Sequence, residues 1–253
     1  MQYPVLVQYP LLVFAVVFVA LWLASVLGSW LRRRDPSAED GQHEDLGIIL
    51  GANLTLLALM IGFSVSMASG RYDQRKNLEE DEANAIGTEM LRADLLPPAE
   101  AANVRRLLRA YLDQRILFYY SQDSTRQTQI EQSTSKLQSD LWVAVRGPAT
   151  VAPNPVTATV LTGMNDVINS QGYSQAAFRN RIPRAVWWLM AAIAFCSNVM
   201  FGYRHGKYSR LALVLPFITS TAFLLISDID APTHGLIRVS PQNLESLAKS
   251  LGR

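Results

Sequence analysis

The chain is poor in residues that make redox or metal chemistry: one cysteine, Cys196, and three histidines, His43, His205 and His234, among 253 residues. A single cysteine excludes a disulfide within the chain. Cys196 lies inside an apolar run and reads as a small lipid-facing or packed residue. The histidines are far apart, in loops, and no Cys/His cluster has metal-ligand spacing. Glycine-rich phosphate loops are missing too, since Gly47-Ile-Ile-Leu-Gly51 lacks the Lys-Ser/Thr ending. No cofactor, metal or catalytic residue is read, and an enzyme is not expected. Nor is there an excess of one charge: 23 basic against 21 acidic side chains leave a net charge of +2, which gives nucleic acid no electrostatic foothold.

What the chain has is long apolar runs. Residues 11–31, 46–69, 185–203 and 211–229 are almost free of charge. Each is close to the roughly 20 residues an α-helix needs to cross a hydrocarbon core of about 30 Å. In lipid the backbone must satisfy its own hydrogen bonds, so these spans are helices. The first is a retained helix rather than a signal peptide, because nothing basic precedes Leu11 and Arg32-Arg33-Arg34 follows where a cleavage site would stand. The expected fold is an all-α membrane protein with four transmembrane helices and a helical extramembrane bundle between the second and third. The parts are 1–69 (first helix pair), 70–183 (extramembrane helices), 184–230 (second pair) and 231–253 (tail with a short helix). The lipid bilayer is the first partner.

Within the insert, the second span is expected to continue unbroken to Leu96, where Pro97-Pro98 stops it. Val104, Leu107, Leu108, Tyr111, Leu112 and Ile116 recur at helical spacing. Leu137 to Val145 forms a weaker helix, Gly147 to Pro155 a proline-rich loop, and Val156 to Ile168 another helix. Ser240-Pro241 resembles an N-cap with proline at the first helical position, opening a short helix through Leu247. Asp228 and Asp230, ending the fourth span, read as interfacial carboxylates, solvated or paired with Arg238.

The second span has two contrasting faces at about 100° per residue. Gly47, Gly51, Thr55, Ala58, Gly62, Ser66 and Ser69 form a small-residue stripe, read as a helix-packing face. Asn53, Leu57, Met60, Ser64 and Met67 lie opposite and are candidate pore-lining residues, with Leu57 and Met60 as a constriction that gates by dewetting. The competing reading is ordinary interhelix packing, with Asn53 hydrogen-bonded to a neighbour. Both faces ask for partners, which points to a homo-oligomer. Arg71 and Arg75, one turn apart beyond the span, are a candidate anion vestibule. The alternative for them is a solvated, salt-bridged face with Glu79, Glu80, Asp81, Glu82, Glu89 and Asp94.

The run Ser69-Gly-Arg-Tyr-Asp-Gln-Arg-Lys76, with Asp81-Glu-Ala-Asn-Ala-Ile-Gly-Thr88 and Asp228-Ile-Asp-Ala-Pro-Thr-His-Gly-Leu-Ile-Arg-Val-Ser240, resembles the bestrophin-like family of bacterial membrane proteins. The resemblance covers nearly the whole chain. Bestrophins are oligomeric anion channels whose second helix lines the pore, and Arg71-Tyr72 is similar to their pattern just past that helix. Their apolar-aromatic neck and acidic calcium clasp have no evident counterpart. The resemblance implies an oligomeric channel for small inorganic anions in the bacterial inner membrane. A non-conducting scaffold or sensor that binds a partner through the insert is the alternative. Basic residues in the two short loops (Arg32, Arg33, Arg34, Arg204, Lys207, Arg210) put those loops in the cytoplasm and the insert outside. Six more beside the insert's ends (Arg71, Arg75, Lys76, Arg179, Arg181, Arg184) pull the other way.

Overall fold

The computed structural model describes residues 9–34, 42–205, 210–232 and 235–252, without the side chains of 42–44 and 210–211. His43 and Arg210 as side chains, Lys207 and His234 therefore lie outside the described residues. All regular structure among the described residues is helical. Three stretches are long and apolar enough to cross a membrane: Pro10–Arg34, Asp45–Leu95 and Pro155–His205.

Helix α1 is Pro10–Arg34 and α2 is Gln42–Arg92, the latter 51 residues without a break. With no proline in that range, nothing interrupts the i to i−4 ladder. A 3-10 turn, Ala93–Leu95, ends the run, and Leu96 is extended (φ −87°, ψ 159°) as a residue before proline must be. Helix α3 spans Pro98–Tyr120 with proline in its first turn, and α4 spans Ser124–Val151 behind Asp123, whose side chain accepts from Thr125 N–H at 3.1 Å. Helix α5 is Pro155–Arg179, opened by an Asn154/Thr157 capping box. Helix α6 is Arg184–His205, α7 Val214–Asp230 and α8 Gln242–Ser250.

The expected loop at 147–155 is mostly helix. Helix α4 runs through Gly147 and Pro148, leaving only 152–154 as connection. An interior proline disfavours a helix by about 3 kcal/mol. Here Val145 and Ala149 are both buried, and tertiary burial on either side of the proline outweighs local propensity. Helix α5 also extends well past Ile168, because Ser170, Ser174, Ala177 and Phe178 continue its buried stripe.

The chain divides into two compact units, Met1–Arg71 with Arg181–Arg238, and Tyr72–Asn180 with Val239–Arg253. In the first, α1 lies against α6 and α7. A Cβ on Gly28 would collide with the Val199 carbonyl, and one on Gly202 with that of Ser25. Two glycines thus let α1 and α6 meet backbone to backbone. Ser29 Oγ donates to Gly202 O at 3.1 Å and Ser25 Oγ to Asn198 Oδ1 at 3.2 Å across the same crossing. The second unit has its own core, in which Ile86, Val104, Leu108, Tyr111, Leu141, Met164, Val167 and Leu244 are fully buried.

Candidate functional site

Helix α2 presents one buried side along its whole length: Leu50, Leu57, Ser64 and Ala68 in the first unit, then Arg75, Glu79, Glu82, Ile86 and Glu89 in the second. In the first unit this side faces α6. Asn53 Nδ2 donates to Ser197 Oγ at 2.8 Å, and Ser64 Oγ to Met60 O at 2.7 Å. Leu57 is buried, and Met60 packs against the same apolar cluster. The opposite side is open. Gly51, Thr55, Ala58, Gly62 and Ser66 are exposed together with Leu59 and Phe63. A Cβ on Gly51 or Gly62 would meet nothing within 4 Å.

The two faces therefore lie the other way round from the expectation. Asn53, Leu57, Met60 and Ser64 are taken up within the chain, and the small-residue stripe faces out. Met67 stays exposed at 37%. Gly47 departs from its stripe: its missing Cβ leaves room for the Arg204 guanidinium, whose Nη1 would stand 2.6 Å from it. In the first unit the glycines at the helix crossing are Gly28 and Gly202, neither of them on the expected stripe. Their signal was present, as Ser25, Gly28 and Ser29 in one apolar run and Asn198 and Gly202 in another.

The paired arginines separate as well. Arg71 is half-buried. Arg75 is buried and donates to the Ala177 carbonyl (3.2 Å) and the Asn180 carbonyl (3.2 Å), where α5 ends. A guanidinium bonded to the carbonyl end of a helix is favourably placed in the macrodipole. It is not available to line a vestibule.

In the second unit Arg115 on α3 donates through Nε and Nη2 to the Glu82 carboxylate, and Nη2 also reaches Ser174 Oγ at 3.0 Å. Phe118 closes the cluster, its ring centroid 4.6 Å from the guanidinium carbon. Burial alone would lower the Arg115 pKa, but the charge and hydrogen bonds of Glu82 outweigh it and raise it. Burial raises the Tyr111 and Tyr119 phenols beyond their ordinary range, with the Glu82 charge adding to it, so both stay neutral. A turn away, Glu79 accepts from the backbone N–H groups of Asn243 (3.0 Å) and Leu244 (2.9 Å) and from the Asn243 amide (2.7 Å). Ser240, expected to cap α8, does not do so. Pro241 takes the N-cap position with no side-chain bond, and Glu79 from α2 satisfies the orphan donors instead.

The carboxylates ending α7 are buried and accept from backbone N–H groups. Asp228 accepts from Leu236 N–H (2.6 Å) and Ile237 N–H (2.9 Å), and Asp230 from Ile182 N–H (3.2 Å). Among the described residues no group of three His, Cys, Asp or Glu side chains converges on a metal position.

Long apolar helices and an absence of strands among the described residues define the class, a helical membrane protein. The chain belongs to the bestrophin-like family, whose Bestrophin-like domain matches residues 16–244. Its fold is similar to that of crystal structures of a bacterial bestrophin homologue from Klebsiella pneumoniae. One has a TM-score of 0.62 at 13% identity, covering 96% of this chain and 97% of that one. A second has a TM-score of 0.63 at 12% identity, covering 95% and 96%. A structure described as that of a membrane protein aligns with a TM-score of 0.64 at 13% identity over 94% of this chain and 97% of that one. A search of curated proteins by sequence gives no match.

Proposed function

We propose that the chain is one subunit of a homo-oligomeric, bestrophin-like channel for small inorganic anions, with the outward face of α2 lining a shared axis. The observation that carries this reading is the composition of that face. Gly51, Thr55, Ala58, Gly62 and Ser66 are exposed on an apolar helix with nothing of the same chain over them. A surface meant only for acyl chains has no use for a row of glycines and hydroxyls. A neighbouring backbone or a file of water does. Leu59 and Phe63, 53% and 58% exposed on the same side, replace Leu57 and Met60 as the apolar constriction. Met67, 37% exposed, borders this open side toward the far end.

In this arrangement residues 11–31, 46–69 and 185–203 span the bilayer of the bacterial inner membrane, and α7 is the fourth span. Its 17 residues rise about 26 Å, short of a full core but extended by the preceding 3-10 turn at Arg210–Leu213. Residues 70–183 stand outside the bilayer. The basic short loops put them on the outer side, which cysteine labelling between 121 and 135 in intact cells checks.

A partner-binding scaffold or sensor is the second reading, favoured by apolar side chains left open on the second unit. Leu91 is 72% exposed and Val151 86% exposed. Ion flux from proteoliposomes with sided anion and cation gradients decides. Anion flux that follows the gradient supports the channel, and none from an intact oligomer favours the scaffold. A protein that runs as a monomer in mild detergent removes the shared axis altogether.

A further inference from the structure

Three carboxylates follow one another along the buried side of α2, and the third is unlike the others. Glu79 holds the N–H groups of α8, and Glu82 holds Arg115 and Ser174. Glu89 is as deeply buried, its side chain 0% exposed, yet neither of its oxygens has a hydrogen-bond partner. Buried polar groups in folded proteins are ordinarily satisfied, and a buried charge ordinarily has a counter-charge bonded to it.

The charged groups that face Glu89 are two. Arg92, one turn further along α2, holds Nη1 3.9 Å from Glu89 Oε2, beyond hydrogen-bonding reach, and also 3.9 Å from Asp166 Oδ2 on α5. Asp166 itself is the other. Of the nearby charges, Glu82 is engaged with Arg115 and Asp94 with Arg105. From α5 the residue set against the carboxyl group is Gly163. A Cβ there would overlap both Glu89 Oε2 and the Arg92 guanidinium. The carboxyl group therefore lies directly on the α5 backbone, a position that suits a neutral acid and penalises an anion.

We propose that Glu89 is a proton-binding site, and that gain or loss of its proton switches the contact of α2 with α5 at Gly163 between a closed neutral form and a loosened charged one. Desolvation lifts the group from an ordinary 4.5 to about 8, with Arg92 pulling it down and Asp166 pushing it up. The folded chain thus holds this proton more tightly than an unfolded chain. The stability it contributes is complete below 4.5, declines as pH rises, and is gone above about 8. On deprotonation the carboxylate is repelled by Asp166 and drawn to Arg92, which is partly exposed and can lead it toward water. The site stands independently of ion conduction.

The test uses the full chain in mild detergent, followed by thermal unfolding between about pH 5 and pH 9 and by hydrogen exchange around Gly163. The wild type is expected to melt progressively lower, and to exchange faster in α5, as pH rises. Glu89→Gln flattens that slope and is the more stable protein at the alkaline end. An infrared band of a protonated carboxyl group, present in the wild type at neutral pH, disappears in the same variant. Asp166→Asn moves the midpoint of the transition to lower pH, and Arg92→Gln moves it to higher pH. These opposite shifts are not produced by a merely structural carboxyl group. If Glu89→Gln fails to fold, the two partly exposed positions carry the test. A neutral-pH spectrum without the protonated band, or a midpoint that neither neighbour moves, overturns the proposal.

Discussion

Arg115 on α3 and Glu82 on α2 meet as a two-point ion pair with 1% and 0% of their side chains exposed. Removing one member leaves the other charged, desolvated and alone. Replacing Glu82 by leucine or Arg115 by methionine should each lower stability by about 3–5 kcal/mol, whereas the two changes combined should recover much of that loss. Thermal unfolding of the four proteins reads the cycle. A double variant as unstable as the sum of its singles would show that the pair is not the unit described.

The capping of α8 by Glu79 makes a local prediction. Glu79→Ala removes a charged acceptor from two backbone donors and one amide, and should cost about 1–2 kcal/mol. Hydrogen exchange should rise first at residues 243–250, while α3 and α5 keep their protection. Uniform loss of protection over the whole second unit would mean that α8 is not separately held.

Glycine positions distinguish packing inside the chain from any packing outside it. Gly202→Leu drives a side chain into the Ser25 carbonyl and should abolish a well-folded product. Gly51→Leu meets open space within the chain, so the monomer unit should fold, and any defect should appear in oligomer size or flux. Equal yields and equal melting of the two variants would contradict the α1–α6 crossing.

The channel reading is tested on opposite sides of one helix. Leu57→Ala hollows a buried site and should destabilise by about 2–5 kcal/mol without opening a pathway. Leu59→Ser and Phe63→Ser change exposed residues, so stability should hold while a wetted neck raises anion flux. Flux that responds at Leu57 and not at Leu59 or Phe63 would return the axis to the other face.

The contrast between the faces of α2 was legible because periodicity survives any orientation of the helix. Its direction was not. Small residues serve close helix crossings and open, wet surfaces alike, and only the partners of Asn53 and Ser64 on α6 decide between them. The length of α2 was legible from the lack of proline before Pro97. The passage of α4 through Gly147 and Pro148 was not, since local propensity says stop while the burial of Val145 and Ala149 is a tertiary fact. Contacts between distant segments were hidden for the same reason. Nothing near Ser240 announces Glu79, and nothing near Arg75 announces the end of α5. Membership of the family was visible in three short runs of residues, and the family domain over 16–244 agrees with it.

The two compact units are threaded through one another in sequence, each made of an early and a late piece. A ribosome delivers residues 72–180 long before residues 239–253, so the second core must wait with the seats of Leu244 and Ala248 vacant and Glu79 without its donors. The first unit is likewise half-made when the second begins. Neither unit can close until the chain beyond α7 has emerged, so a stall or truncation near residue 240 should strand both the polar and the apolar parts of that seat. Helix α8 then acts as the stitch that closes the second core.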